Sequence, residues 1–183
     1  GPLEELGDVM NRRGTLVRFH PDAEIFGKDA AFKPDRLFKM ARSKAYLFGG
    51  VEIRWSCAPE LIASGGTPEK AVFHFPGGLK DFLAERLTGE RLVVDDIFAG
   101  KTDRPGGHGA VEWAVAWFGG EGQVSSYCNT IPTPEGGTHE QGLRIALLRG
   151  LRAYADLVGN KKAGVITADD VMTTCAGMLS VFI

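Results

Sequence analysis

The run from Tyr127 to Arg144, Tyr-Cys-Asn-Thr-Ile-Pro-Thr-Pro-Glu-Gly-Gly-Thr-His-Glu-Gln-Gly-Leu-Arg, leaves this chain the fewest ways to fold. Pro132 and Pro134 break the strand that carries Tyr127 to Ile131, because proline lacks the amide a ladder needs. The Gly136-Gly137 pair then turns the chain, and Thr138 with Gln141 three residues on has the form of a capping box opening a helix. From His139 to about Val158, Leu143, Leu147, Leu151, Tyr154 and Val158 fall in one narrow arc at about 100° per residue, which predicts a long helix with that face buried.

The rest of the chain alternates between helix and strand signals. Leu16 to His20 predicts a first strand, ended by Pro21-Asp22. Pro34 opens a helix in which Leu37, Met40, Ala41, Ala45 and Phe48 recur at helical spacing until Gly49-Gly50 stops it. Val51, Ile53, Trp55 and Cys57 then alternate with Glu52, Arg54 and Ser56, the period of a strand with one wet face. Past a turn over residues 59–68, Ala71 to Phe75 predicts a strand that pairs with it like a hairpin. Pro76-Gly77-Gly78 leads into a helix striped by Leu79, Phe82, Leu83 and Leu87, and Gly89 ends it. After a loop through Pro105-Gly106-Gly107, Val111, Trp113, Val115 and Trp117 alternate as a strand. Gly119-Gly120 turns it, and Gly122 to Ile131 is expected to return as its antiparallel neighbour. Thr167 to Asp170 caps a short helix before a closing strand at Leu179 to Ile183. The interleaving gives an α/β or α+β layer, with helices on a mostly antiparallel or mixed sheet.

With 183 residues, 44% hydrophobic and 24% charged, the chain is long enough for one domain with its own core. A formal charge of -2 excludes a general nucleic-acid coat protein, so any DNA contact must be local. Cys57, Cys128 and Cys175 are odd in number and widely spaced, which predicts reduced thiols in a cytoplasmic protein. No apolar run approaches the roughly 20 residues of a membrane span. His20, His74, His108 and His139 show no metal-ligand spacing. Cys128 and His139 could pair as nucleophile and base by residue type alone, yet Cys128 shares a strand face with Val124 and Ser126, the ordinary setting of a core thiol. Gly1-Pro2 reads as a protease scar, and the abrupt apolar finish at Ile183 reads as a cut, so a piece of a longer polypeptide is expected.

The Asn129-Thr130-Ile131-Pro132-Thr133 segment, followed by Gly136-Gly137-Thr138-His139 and the Gly142-Leu143-Arg144 helix start, resembles the transducer domain of the B subunit of type IIA DNA topoisomerases. The topoisomerase IV version is the nearer, and that of DNA gyrase comes next. Three further stretches match in order: Arg13 to Asp22, Phe75 to Phe82, and Asp169-Asp170-Val171 with Leu179-Ser180-Val181. The resemblance implies the fold of ribosomal protein S5 domain 2, a mixed sheet with helices on one face and a left-handed crossover, and a single transducer domain over residues 1–183. It implies that this segment relays ATP binding and hydrolysis in the complete enzyme to DNA strand passage and chromosome decatenation. ATP and Mg²⁺ then belong to the complete enzyme, with a contacting lysine expected beyond Ile183, and the fragment alone is expected to be inactive. Implied partners are duplex DNA, the topoisomerase IV A subunit in a heterotetramer of two A and two B, and a second B subunit when ATP is bound. The fold relationship also admits a module that binds nucleic acid or a partner without any motor.

No catalytic or metal residue is expected in this segment. Arg144 flanks the Leu143 stripe, and its plainer role is a surface pair with Glu140, four residues upstream. The resemblance implies instead that Arg144 faces a central DNA cavity, with Arg149 and Arg152 on the outer face nearby giving a modest basic lining for phosphates. Gly136, Gly137, Thr138 and His139 form the helix-start motif. Free amides there could cradle an anion, but Glu135 and the expected cap argue for a plain capped turn.

Overall fold

In chain order the computed structural model, which describes residues 4, 7–8, 10, 13–62, 66–104, 106–107 and 109–183, places helices α1 (Ala23–Phe26) and α2 (Pro34–Leu47), then strands β1 (Glu52–Ser56) and β2 (Lys70–His74). Helix α3 (Leu79–Arg86) leads to strands β3 (Phe98–Asp103), β4 (Ala110–Trp117), β5 (Gln123–Cys128) and β6 (Ile131–Pro132). Helices α4 (Thr138–Leu157) and α5 (Ala168–Met172) precede the last strand, β7 (Cys175–Phe182).

The chain divides into two compact units, Gly1–Lys33 and Pro34–Ile183. In the first, Asp22 caps α1 by accepting from the Glu24 amide at 2.9 Å, and Phe19 meets Phe32 edge to face at 5.7 Å. Leu16 to His20 does not form the expected strand. Strand propensity needs a ladder partner to become a strand, none pairs with it among the described residues, and Leu16 lies 93% exposed.

The second unit holds two sheets. β1 and β2 form the expected antiparallel pair, with Ile53 opposite Phe73 and Trp55 opposite Ala71. The larger sheet is mixed, in the order β3-β4-β7-β5-β6. Here two expectations are corrected. β5 does not pair with β4; β7 lies between them, antiparallel to β4 and parallel to β5. β3, expected to be loop, is an edge strand on β4, and its Gly100 and Lys101 explain why its pattern is weak. As a central strand covered on both sides, β7 is apolar nearly throughout, and every residue from Cys175 to Val181 is buried.

Alternation sends β4 side chains to opposite faces. Ala114 and Ala116, with Ala176, Met178 and Tyr127, join a core with Leu79, Phe82 and Leu83 of α3 and Tyr46 of α2. Val115 and Trp117, with Val124 and Cys175, join a second core with Leu143 and Leu147 of α4 and Val171 and Met172 of α5. The fold is thus the expected mixed α/β layer, but helices cover both sheet faces where the resemblance implied one. The parallel β5–β7 pair is joined by the crossover that contains α4 and α5. On the first face, the Glu112 carboxylate of β4 accepts from the Leu79 amide at 3.4 Å, placing negative charge at the start of α3.

Candidate functional site

The β5–β6 hairpin turns on Asn129 and Thr130, whose φ angles of 47° and 67° are both positive. A two-residue hairpin with the sheet's own twist needs this backbone, which asparagine tolerates and β-branched threonine resists. Neighbours on two sides hold it. The Asn129 amide donates to the Val181 carbonyl at 2.8 Å, and Asn129 Oδ1 accepts from the Ile183 amide at 3.1 Å, so the turn is fastened to the end of β7. From α2, Lys44 Nζ donates to the Thr130 carbonyl at 3.2 Å and to Thr130 Oγ1. Two residues away on α2, the Tyr46 hydroxyl meets that of Tyr127 at 2.6 Å in the core, and burial holds the Tyr46 phenol far above its ordinary range, with the Tyr127 bond adding to the shift.

Beyond the turn, the chain comes back onto α4 through side chains. Thr133 Oγ1 lies 3.1 Å from His139 Nε2 and 2.7 Å from Ser126 Oγ, and Ser126 Oγ lies 3.2 Å from Glu140 Oε2. The Glu140 carboxylate accepts from the Ser126 hydroxyl, which also lies 3.3 Å from the Thr133 carbonyl; when Ser126 donates to Glu140, Thr133 donates to Ser126 and His139 Nε2–H donates to Thr133. The glycine pair makes room for this arrangement. A Cβ on Gly136 would come within 3.1 Å of Glu140 Oε2, and one on Gly137 within 2.8 Å of His139 Cε1.

The expected Thr138–Gln141 capping box is therefore absent. Gly137 is the cap residue and has no side chain to offer, while Thr138 is already the first helical residue. A box does form at Thr167, which exchanges bonds with Asp170 at the start of α5 as the sequence predicts.

The three arginines differ in partner and exposure. Arg144 pairs with Asp169 of α5 in place of Glu140, which is committed to Ser126. Arg152 is half-buried where an outer-face position was expected, and it donates to the Ile166 carbonyl. Arg149 is exposed and without a partner among the described residues. The α4 stripe also ends early. Leu147 is buried and Leu143 half-buried, but Leu151 is 41% and Tyr154 65% exposed. Between α4 and strands β3, β4 and β7 lies an apolar cavity of about 860 Å³, lined by Phe98, Trp113, Trp117, Leu143, Leu147 and Leu179, with His139 at its wall.

Cys128 lies on the face with Val124 and Ser126, and His139 is bonded to Thr133. His108 lies outside the described residues. Among those described, no three His, Cys, Asp or Glu side chains gather to hold a metal ion. Sequence reasoning misses Lys44, Ser126, Thr133 and Glu140 as members of this site. Ser126 does carry a signal, a hydroxyl at an inward position of an alternating strand, which must find a partner when buried.

A family profile described as DNA gyrase B matches residues 78–183. The chain is 61% identical to the B subunit of DNA topoisomerase 4 from Bartonella bacilliformis, over 99% of its own length and 26% of that protein. It is 55% identical to the B subunit of DNA topoisomerase 4 from Caulobacter vibrioides, over 100% of its length and 27% of that protein. The chain thus spans about a quarter of the length of the curated relatives it matches. Among solved structures, the 43K ATPase domain of Thermus thermophilus gyrase B, in complex with an aminocoumarin, superposes with a TM-score of 0.68 at 29% identity, covering 89% of this chain and 43% of that one.

Proposed function

Because the chain belongs to the DNA gyrase B family, we propose that it is the transducer segment of an ATP-dependent type II topoisomerase of the topoisomerase IV kind, which relays nucleotide binding and hydrolysis to the passage of one duplex through another. The observation that carries this reading is 61% identity to a topoisomerase 4 B subunit across 99% of the chain. The complete protein would use ATP and Mg²⁺ in the cytoplasm, act with an A subunit as a heterotetramer of two A and two B, and close through its B subunits when ATP binds. In this reading the Gly136-Gly137 turn does not serve as a phosphate site. His139 and Glu140 crowd the Gly136-Gly137 turn, and the Glu140 carboxylate would repel a phosphate. The same reading gives nucleotide chemistry to other parts of the protein.

In this reading the segment works as a plate and a joint. β7, buried on both faces, makes the sheet stiff enough to move as a body, and the helix-start bonds fix α4 to it. The transducer role is best supported for the five-stranded part of Pro34–Ile183, which the family match covers. Arg149 is the arginine most available to DNA phosphates, and Arg144 and Arg152 support α4 from its α5 side while lending positive charge. The test is the complete protein reconstituted with its A subunit: ATP-dependent decatenation of linked circles is expected, whereas supercoiling would assign it to gyrase and neither activity would overturn the proposal. In that system, Arg144→Ala and Arg149→Ala should each lower stimulation of ATP hydrolysis by DNA. Unchanged stimulation in both variants would remove the arginines from the DNA path.

A further inference from the structure

We propose that the Asn129-Thr130 turn is the joint through which displacement of α2 reaches the end of β7 and the start of α4, with Lys44 as the positioning residue that makes it. The inference rests on the relay reading above and names the residue through which the relay runs.

Helix α2 and the β1–β2 pair precede the family match at residue 78, and their sheet shares no ladder with the five-stranded one. A movement of α2 has to cross by side chains. Arg42 pairs with Glu85 of α3 and Phe48 packs against Phe182, but two polar contacts in the last turn of α2 reach β5 and its turn, Tyr46 to Tyr127 inside the core and Lys44 to Thr130 at its margin. The first joins two large aromatic rings within a packed cluster and can only move with it. The second grips the backbone carbonyl and the hydroxyl of one residue in a positive-φ turn, a conformation that a threonine keeps only when its surroundings impose it.

Asn129, the neighbouring turn residue, holds the opposite side, with its amide bonded to Val181 of β7 and its side chain to Ile183 just past the end of that strand. Two adjacent residues thus receive α2 from one direction and β7 from the other. Three residues on from Thr130, Thr133 bonds to His139 in the first turn of α4 and to Ser126 of β5, which in turn bonds to Glu140. Lys44 meets neutral acceptors only, and no carboxylate pairs with it among the described residues. Such a contact fixes position more than it neutralises charge, and its strength depends on where the two oxygens stand.

The experiment uses the complete protein with its A subunit, comparing the parent with Lys44→Met. ATP hydrolysis without DNA should stay within about twofold of the parent, while the ratio of DNA-stimulated to basal rate should fall by about fivefold or more. Lys44→Arg, which keeps the charge and several donors, should recover most of that ratio, and Lys44→Met combined with Thr130→Ala should be no worse than Lys44→Met alone. A full stimulation ratio in Lys44→Met, or an equal fall in basal and stimulated rates, would overturn the proposal. Amide hydrogen exchange in the same proteins reads the joint without reference to activity. Exchange at Asn129 and Ile183 should quicken in Lys44→Met, and unchanged exchange there would also overturn it. If Lys44→Met fails to fold, Thr130→Ala is judged by the same two measurements. A parent without DNA-stimulated hydrolysis would sink the relay reading, and exchange would still decide whether Lys44 holds the turn.

Discussion

The two faces of the five-stranded sheet are built from the same strands and finish differently. On the α3 side, β4 and β7 offer Ala114, Ala116 and Ala176, and the helix supplies Leu79, Phe82 and Leu83, so small residues receive large ones and the face closes. On the α4 side, the strands offer Trp113 and Trp117, while Gly142, Ala146 and Gly150 line the helix side of a cavity of about 860 Å³. Only near α5 does this face close, around Val115, Leu147 and Cys175. Alternation decides which face a residue joins, but the sum of side-chain volumes decides whether that face fills.

The largest expected contrast is between two leucines. Leu83 is fully buried on the closed face, so Leu83→Ala should cost about 3 kcal/mol, the transfer loss plus an unrelaxed cavity. Leu151, read from sequence as part of the buried stripe, borders the open cavity, and Leu151→Ala should cost less than about 1 kcal/mol. Urea unfolding of the two variants measures both. Equal losses would show that the two faces do not differ in the way described.

Of intermediate size is the Tyr46–Tyr127 contact, which lies on the closed face where water cannot replace a lost partner. Tyr46→Phe or Tyr127→Phe alone should each cost about 1–2 kcal/mol by leaving the other hydroxyl unpaired. The double variant should recover much of that loss, because Tyr46 packs by its ring, stacked on Phe82 at 4.0 Å. Additive losses would mean that the hydroxyls act separately, and that this face is wetter than its burial indicates.

These elements also mark what can be read in advance. The α3 stripe and the β4 alternation are legible because each depends on a period inside one segment, and all four α3-side apolar positions, Leu79, Phe82, Leu83 and Leu87, are buried. The partner of β5 is not legible. Its neighbour β7 arrives some fifty residues later, and nothing local distinguishes that parallel pairing from a hairpin to β4. At the helix start the Gly-Gly-Thr-His-Glu sequence is visible, but its reason is not the expected one: the glycines admit the side chains of His139 and Glu140, and Thr138 caps nothing. Spacing and resemblance give Arg144 two different partners, and it takes a third, Asp169, because α5 folds beside α4. Lys44 gives no local sign at all, since its acceptors lie on a turn more than eighty residues away.

Near neutral pH the smallest effect belongs to Cys175, and it separates the closed end of the α4 face from the open one. Burial pushes this thiol up from an ordinary 9.0 to about 11, because the thiolate would lose its hydration beneath Val171, Met172 and Leu147. The folded state therefore holds the proton where the unfolded chain would release it. Stability from this group is fully present below pH 9.0 and is lost as the pH rises toward about 11, so urea midpoints should be flat between pH 7 and 8.5 and fall above that range. At pH 8 a thiol reagent should modify half-buried Cys57 and Cys128 well before Cys175, and Cys175→Ser should place a hydroxyl where it has little room to find a partner. Labelling of Cys175 at the rate of the other two would mean that water reaches the whole α4 face, and the contrast would then lie between one closed face and one that is open along its entire length.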